Sequence, residues 1–189
     1  IVVLPKPGLP PEQCASYRPI SLINTDLKIF AKILANRLAP AMANLIHPDQ
    51  CGFMPTCSTR HCIRRLYSAL AMVGELPGSK SLLLLDFEKT FDSVDWDYLD
   101  GLLNKLGFLN LFRGCIHALY NGSMAQVRVN GCLSKPFPIH RGTRQGCTLS
   151  PMLFALAIEL AYWIRQDAQV DCWKIPGGGE DRIARYADD

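Results

Sequence analysis

Four consecutive leucines, Leu82 to Leu85, end abruptly in Asp86, inside the stretch Ser81-Leu82-Leu83-Leu84-Leu85-Asp86-Phe87-Glu88-Lys89-Thr90-Phe91-Asp92. An apolar run of this kind predicts a fully buried strand. A carboxylate at the end of a buried strand is costly unless a partner meets it. A metal ion is such a partner. The pattern returns at the end of the chain, where Arg182-Ile183-Ala184-Arg185-Tyr186 predicts a strand running into Asp188-Asp189. Two acidic strand ends can meet in space, and three carboxylates around a divalent cation suit phosphoryl or nucleotidyl transfer.

The remaining pattern is legible in order. Ile1 to Leu4 predicts a strand, and Pro5, Pro7, Gly8, Pro10 and Pro11 forbid regular structure after it. Arg18 precedes a proline and is pushed toward an extended conformation. Asp26 is a candidate N-cap, with Leu27, Phe30, Leu34 and Leu38 on one helical face and a kink or end near Pro40. Residues 41–55 read as a short helix and then a loop. From Ser58 a second helix is expected, with Ile63, Leu66, Leu70 and Val73 turned inward. Asp95-Trp96-Asp97 opens a helix through Leu106, with Trp96, Leu99, Leu103 and Leu106 as an apolar core stripe, closed by Gly107, and another follows over roughly 109–120. The period then changes to two. Ala125 to Val129 alternates, Asn130-Gly131 is a tight-turn signal, and Cys132 to Ile139 pairs back as a hairpin. Arg141 to Thr148 is polar with two glycines and reads as an irregular loop. Ser150-Pro151 starts an apolar helix to about 166, and Pro176-Gly177-Gly178-Gly179 is a turn.

Composition narrows the classes. Of 189 residues, 49% are hydrophobic and 20% charged, which is ordinary globular composition. No apolar stretch is long enough to span a membrane. The chain opens mid-pattern, without an initiator Met or signal peptide, and both ends read as interior to a longer protein. The eight cysteines include no Cys-x-x-Cys pair, so zinc is not expected and the thiols suit a reducing compartment. The net charge of +3 hides an asymmetry: residues 1–80 carry nine Lys/Arg against four Asp/Glu, and residues 81–189 carry eleven against thirteen. A basic first part beside an acidic second part fits a polyanion held on one side and a metal on the other. Two ordinary solvated surfaces would give the same count.

Several blocks now line up: Tyr17-Arg18-Pro19-Ile20-Ser21-Leu22; Lys32-Ile33-Leu34-Ala35-Asn36-Arg37-Leu38; Ile46-His47-Pro48-Asp49-Gln50; Asp86 through Asp92; Gly142-Thr143-Arg144-Gln145-Gly146-Cys147; Ser150-Pro151; and Tyr186-Ala187-Asp188-Asp189. Each is weak alone. As an ordered set reaching from end to end, the chain resembles a reverse transcriptase domain of the LINE-type non-LTR retrotransposons. The resemblance implies an α/β right-hand polymerase, with an antiparallel palm sheet and packed helices. Residues 1–80 would be fingers-like and 81–189 palm-like. It implies an RNA-directed DNA polymerase acting on an RNA template, a DNA primer at a target site and deoxynucleoside triphosphates, with no membrane. The setting would be intracellular: the nucleus for target-site copying, the cytoplasm as ribonucleoprotein.

Residue by residue, Asp86, Asp188 and Asp189 resemble the catalytic carboxylates that hold two Mg²⁺ ions, with Mn²⁺ as a substitute and the Phe87 carbonyl completing a coordination shell. Phe91 resembles the aromatic steric gate under the incoming sugar; a core phenylalanine is the alternative. Gln145 and Gly146 resemble the loop at the nascent base pair, and Arg18 the arginine that grips the triphosphate. Lys6, Arg60, Arg64, Arg65 and Arg144 are candidate nucleic-acid contacts, against the plain reading of a solvated basic face. Three positions depart from the family: Thr148 stands for a proline, Thr90 for an alanine, and Pro55-Thr56-Cys57 for Gly-Arg. The strand, lysine motif and thumb that follow Asp189 in the family lie beyond this sequence, so residues 1–189 alone are expected to extend primers little. The other readings are a group II intron-type maturase reverse transcriptase and a nucleic-acid-binding relic that has lost turnover.

Overall fold

The computed structural model describes residues 1–48, 50–54, 58–73, 89–159, 173–174 and 180–181. Strand β1 (Val2–Pro5) and strand β2 (Tyr17–Ile20) pair antiparallel around the proline-rich stretch, with Val3 opposite Pro19 and Pro5 opposite Tyr17. The Lys6 N–H donates to the Ser16 carbonyl at 2.7 Å. This sets Val2 and Leu4 at the hydrogen-bonded sites and leaves both prolines where the ladder asks for no donor.

Helix α1 (Thr25–Leu45) buries Ala31, Leu34, Ala35, Leu38 and Met42 along one stripe. It continues through Pro40 and does not end there, an end being one of the two outcomes expected of that proline. The missing N–H removes one helical bond, but the buried stripe continues on both sides of it, so packing outweighs the loss. Helix α2 (Thr59–Val73) forms where predicted. Its expected inward face is only partly covered: Ile63 is 48% exposed and Leu70 44%, Leu66 is half-buried, and Tyr67 beside them is exposed. Periodicity fixes the helix and its apolar side, not what covers that side.

Helix α3 is a single turn, Thr90–Ser93, entered through Lys89 in the left-handed region at φ 51°. Helix α4 (Trp96–Lys105) starts at Asp95, whose carboxylate accepts from the Tyr98 N–H at 2.9 Å. It stops at Gly107, φ +82°, with Gly107 N–H donating to Asn104 and Phe108 N–H to Leu103. That is the paired-bond helix stop the glycine predicts. Leu99 and Leu103 are fully buried on the expected stripe. Helix α5 (Asn110–Tyr120) buries Ile116, Leu119 and Tyr120. Arg113 on α5 forks onto Asp100 of α4, its Nε donating at 2.9 Å, and also reaches Asn104 at 2.7 Å.

The hairpin is present. Strand β3 (Met124–Ala125) and strand β4 (Arg128–Val129) run out; strand β5 (Cys132–Leu133) and strand β6 (Phe137–Pro138) return. Asn130 at φ 49° and Gly131 at φ 82° give the two left-handed residues of a type I′ turn. The return arm carries one extra residue between the β4–β5 and β3–β6 pairings, a bulge. Ser134 fills it: its hydroxyl takes the Val127 N–H at 3.0 Å and donates to the Lys135 carbonyl. Among the described strands the four-stranded sheet is mixed. Its order is β2-β1-β4-β5, and β4 lies parallel to β1, with Arg128 N–H bonding the Ile1 carbonyl at 2.8 Å. The long connection between β1 and β4 is what permits a parallel neighbour.

Helix α6 (Ser150–Ala157) starts at the predicted Ser-Pro and buries Leu153 through Ala157, then meets a turn at Ile158–Glu159; the rest of the helix expected to about 166 lies outside the described residues. Strand β7 (Trp173–Lys174) and strand β8 (Glu180–Asp181) pair antiparallel on either side of the Pro-Gly-Gly-Gly stretch. The expected strands at 82–87 and 182–186 lie outside the described residues.

The chain forms two compact units, each from two segments: Ile1–Leu38 with Lys89–Phe154, and Ala39–Glu88 with Ala155–Asp189. In the second unit Gln50 is buried and its side-chain oxygen accepts from the Gly52 N–H at 2.9 Å.

Candidate active site

Three of the sequence blocks converge in the first unit. The loop Arg141–Thr148 has no periodic pattern, yet backbone bonds fix it on two sides. Gly142 N–H donates to the Val94 carbonyl at 2.7 Å and Thr143 N–H to the Phe91 carbonyl at 2.6 Å. The Thr143 hydroxyl adds a second bond to Phe91 at 3.2 Å, and the Trp96 indole N–H donates to the Gly142 carbonyl at 2.9 Å. On the other side, Ser21 N–H donates to the Gln145 carbonyl at 2.9 Å.

Both glycines of the loop are required by space as well as conformation. Gly142 has φ +91°, and a Cβ there would stand 2.9 Å from the backbone Cα and O of Asp92. Gly146 has φ +104°, and a Cβ would stand 3.0 Å from the Ser21 carbonyl oxygen. Only glycine lets the loop lie this close to its neighbours.

Phe91 hangs from the clamped carbonyl. Its ring stacks on Phe154 of α6, with centroids 4.2 Å apart and planes at 23°. Next to it, burial raises the Asp92 carboxyl above its usual range and Lys89 opposes the shift. Tyr120 is buried, with its ring 5.6 Å from Trp96 and its hydroxyl 3.4 Å from the Ser150 hydroxyl. Burial pushes that phenol up to about 12. A cavity of about 640 Å³ opens beside the loop, walled among others by Ser21, Asn24, Asp92, Arg141 and Gln145.

The other proposed site residues fall as follows. Arg18 is exposed, opposite Leu4 in the β1–β2 pair, and Lys6 follows on the same face one step along. Arg144 turns back into its own unit: its guanidinium donates to the Leu119 carbonyl at 2.7 Å and to the Ser123 hydroxyl, and lies 5.4 Å from the Tyr120 ring. A cation at the carbonyl end of α5 is favourably placed. Arg60 and Arg64 are exposed one turn apart on α2, in the second unit, and Arg65 is partly buried. Asp86, Phe87, Asp188 and Asp189 lie outside the described residues. Among the described residues no three His, Cys, Asp or Glu side chains gather, and Cys14, Cys115, Cys132 and Cys147 are free thiols.

Trp96 is the site residue the sequence did not flag. It reads as the first member of a core stripe. Its only distinguishing signal is position: it follows the helix cap Asp95, so its side chain leaves the first turn of α4 beside the preceding turn.

Residues 4–189 match the family described as Reverse transcriptase (RNA-dependent DNA polymerase). The chain belongs to the reverse transcriptase family. Among curated relatives, the Transposon TX1 uncharacterized 149 kDa protein of Xenopus laevis is 38% identical over 76% of this chain. The probable RNA-directed DNA polymerase from transposon BS of Drosophila melanogaster is 32% identical over 82%. The RNA-directed DNA polymerase from mobile element jockey of Drosophila funebris is 30% identical over 100%. These are relatives of the LINE-type, non-LTR kind. The chain spans only 11%, 17% and 20% of their respective lengths. Among the described residues of this reverse transcriptase domain, no helix is long and apolar enough to cross a membrane.

Proposed function

We propose that this reverse transcriptase domain supplies fingers and palm for copying RNA into DNA, with deoxynucleoside triphosphates as substrates and a nicked DNA target as primer. Asp86 and Asp188 hold divalent ions, with Asp189 and the Phe87 carbonyl beside them. Reverse transcriptases generally use divalent metal ions, and a hard carboxylate and carbonyl donor set suits Mg²⁺, or Mn²⁺ in its place. When bound, such ions acidify a primer 3′-hydroxyl and neutralise the departing pyrophosphate. Phe91 stands under the sugar and excludes a 2′-hydroxyl by overlap. Gln145 and Gly146 border the nascent base pair, Arg18 meets the triphosphate, and Lys6, Arg60, Arg64 and Arg65 contact nucleic acid. Arg144 serves the same end indirectly, since its charge is bonded to Leu119 and Ser123 and holds the loop that carries Gln145. Copying at a chromosomal target places this work in the nucleus.

The observation that carries this reading is the junction of the loop with the Phe91–Val94 turn: two family blocks, more than 40 residues apart, share backbone bonds in one compact unit. Primer extension on an RNA template, using the polypeptide at the length of its relatives, tests it. Asp86→Asn is expected to abolish product while leaving melting temperature within a few degrees of wild type. Full extension by Asp86→Asn overturns the reading.

A further inference from the structure

The clamp that joins the loop to the Phe91 turn is shared between backbone and side-chain donors. Two of its four bonds are Gly142 N–H to Val94 and Thr143 N–H to Phe91. The other two come from side chains: the Thr143 hydroxyl and the Trp96 indole N–H. Trp96 therefore holds the loop from a helix, α4, whose start is fixed independently by the Asp95 cap. Two contacts help to hold the Phe91 ring. Its face rests on Phe154 at 4.2 Å, and its backbone carbonyl is tied to Thr143. The stack permits sliding in the plane of the rings, because dispersion contacts are non-directional. Of these two, the clamp is directional.

We propose that Trp96 is a positioning residue for sugar selection: by bonding the Gly142 carbonyl it holds the loop against the Phe91–Val94 turn and fixes where the Phe91 ring stands. This rests on the reading of Phe91 as the gate. A gate that works by overlap is sensitive to small displacements, since repulsion is steep where attraction is shallow. An indole N–H at 2.9 Å from a carbonyl, in a corner where an added Cβ on Gly142 would overlap Asp92, leaves no room for the loop to shift inward. Loss of that bond frees it to move outward, and Phe91 with it.

The test measures kcat/KM for one deoxynucleotide and its ribonucleotide on the same template, in the polypeptide at the length of its relatives. The ratio is read, so a loss common to both cancels. Trp96→Phe keeps a ring against Tyr120 and deletes only the donor. It is expected to lower discrimination roughly three- to tenfold, the scale of one hydrogen bond. Thr143→Val deletes the other side-chain bond of the clamp and is expected to act in the same direction, while Thr143→Ser restores discrimination. Phe91→Val should lower it further, and adding Trp96→Phe to Phe91→Val should change nothing more, because the two act through one ring. If Phe91→Val lowers discrimination and Trp96→Phe and Thr143→Val do not, the positioning proposal falls and the gate stands. An unchanged ratio in Phe91→Val removes the gate and the proposal together. Equal losses for both nucleotides in Trp96→Phe, with the ratio intact, assign Trp96 a structural role only and also overturn it.

Discussion

The loop Arg141–Thr148 and helix α2 are opposites. The loop has no periodic pattern, two glycines and three charged or amide side chains, yet its backbone is bonded on both sides and its glycines touch neighbouring chain. Helix α2 has regular geometry and a strong apolar stripe, yet Ile63 and Leu70 on that stripe, and Tyr67 beside them, are exposed. Regularity and constraint are therefore separate properties. A helix satisfies its own backbone and needs no neighbour to hold its shape. An irregular loop satisfies its backbone only through neighbours, so where it is ordered every bond reports a specific contact.

That contrast orders the expected effects. The largest is Gly142→Ala. A methyl at this position meets the Asp92 backbone at 2.9 Å, and the φ of +91° disfavours any side chain. A loss of about 2–5 kcal/mol in urea denaturation is expected; a change below ~0.5 kcal/mol would show that the loop is not pinned as described.

The next reports on the wall behind the loop. The Tyr120 phenol titrates at about 12 in the folded protein, above its ordinary value. The folded state therefore keeps a proton that the unfolded state releases near pH 10. Its contribution to stability is intact below pH 10 and falls as pH rises from there to about 12. Comparing wild type with Tyr120→Phe isolates this residue from the other alkaline titrations. Wild type should lose on the order of 2 kcal/mol more than the variant across that window. Parallel curves would mean that the phenol reaches water.

The smallest is Ile63→Ser on α2. An exposed apolar side chain contributes little to the fold, so the change should stay within about 0.5 kcal/mol. A loss of ~2 kcal/mol or more would mean that something covers Ile63 and would close the gap between the two regions.

Much of the fold was legible where a residue type permits only one local outcome. Gly107 stops α4, Asp95 caps it, and Asn130-Gly131 turns the hairpin, each for a reason visible in the sequence. At Pro40 the local cost is real, while the buried stripe that overrides it is a property of packing. The parallel contact of β1 with β4 was not legible, since register between strands over a hundred residues apart depends on everything between them. Nor was the Ser134 bulge, because nothing in Leu133-Ser134-Lys135-Pro136 says which side-chain oxygen will replace a backbone partner. At the candidate site, the family resemblance proposed Phe91, Gln145 and Gly146. It said nothing of how they are joined, and so missed Trp96, whose role is one hydrogen bond that any core tryptophan could equally lack.

The register of β1 against β2 has a consequence for solubility. β2 is the outer strand of its sheet, and an outer strand normally presents a row of donors to any passing chain. Here the outward-facing positions are Tyr17 and Pro19. Pro19 has no N–H to offer, and the Tyr17 N–H is already turned onto the Cys14 carbonyl. The next outward donor, on Ser21, is held by Gln145. The β2 edge thus offers a foreign strand no backbone donor at Tyr17, Pro19 or Ser21, and at Ser21 the place of such a strand is taken by the loop that carries Gln145.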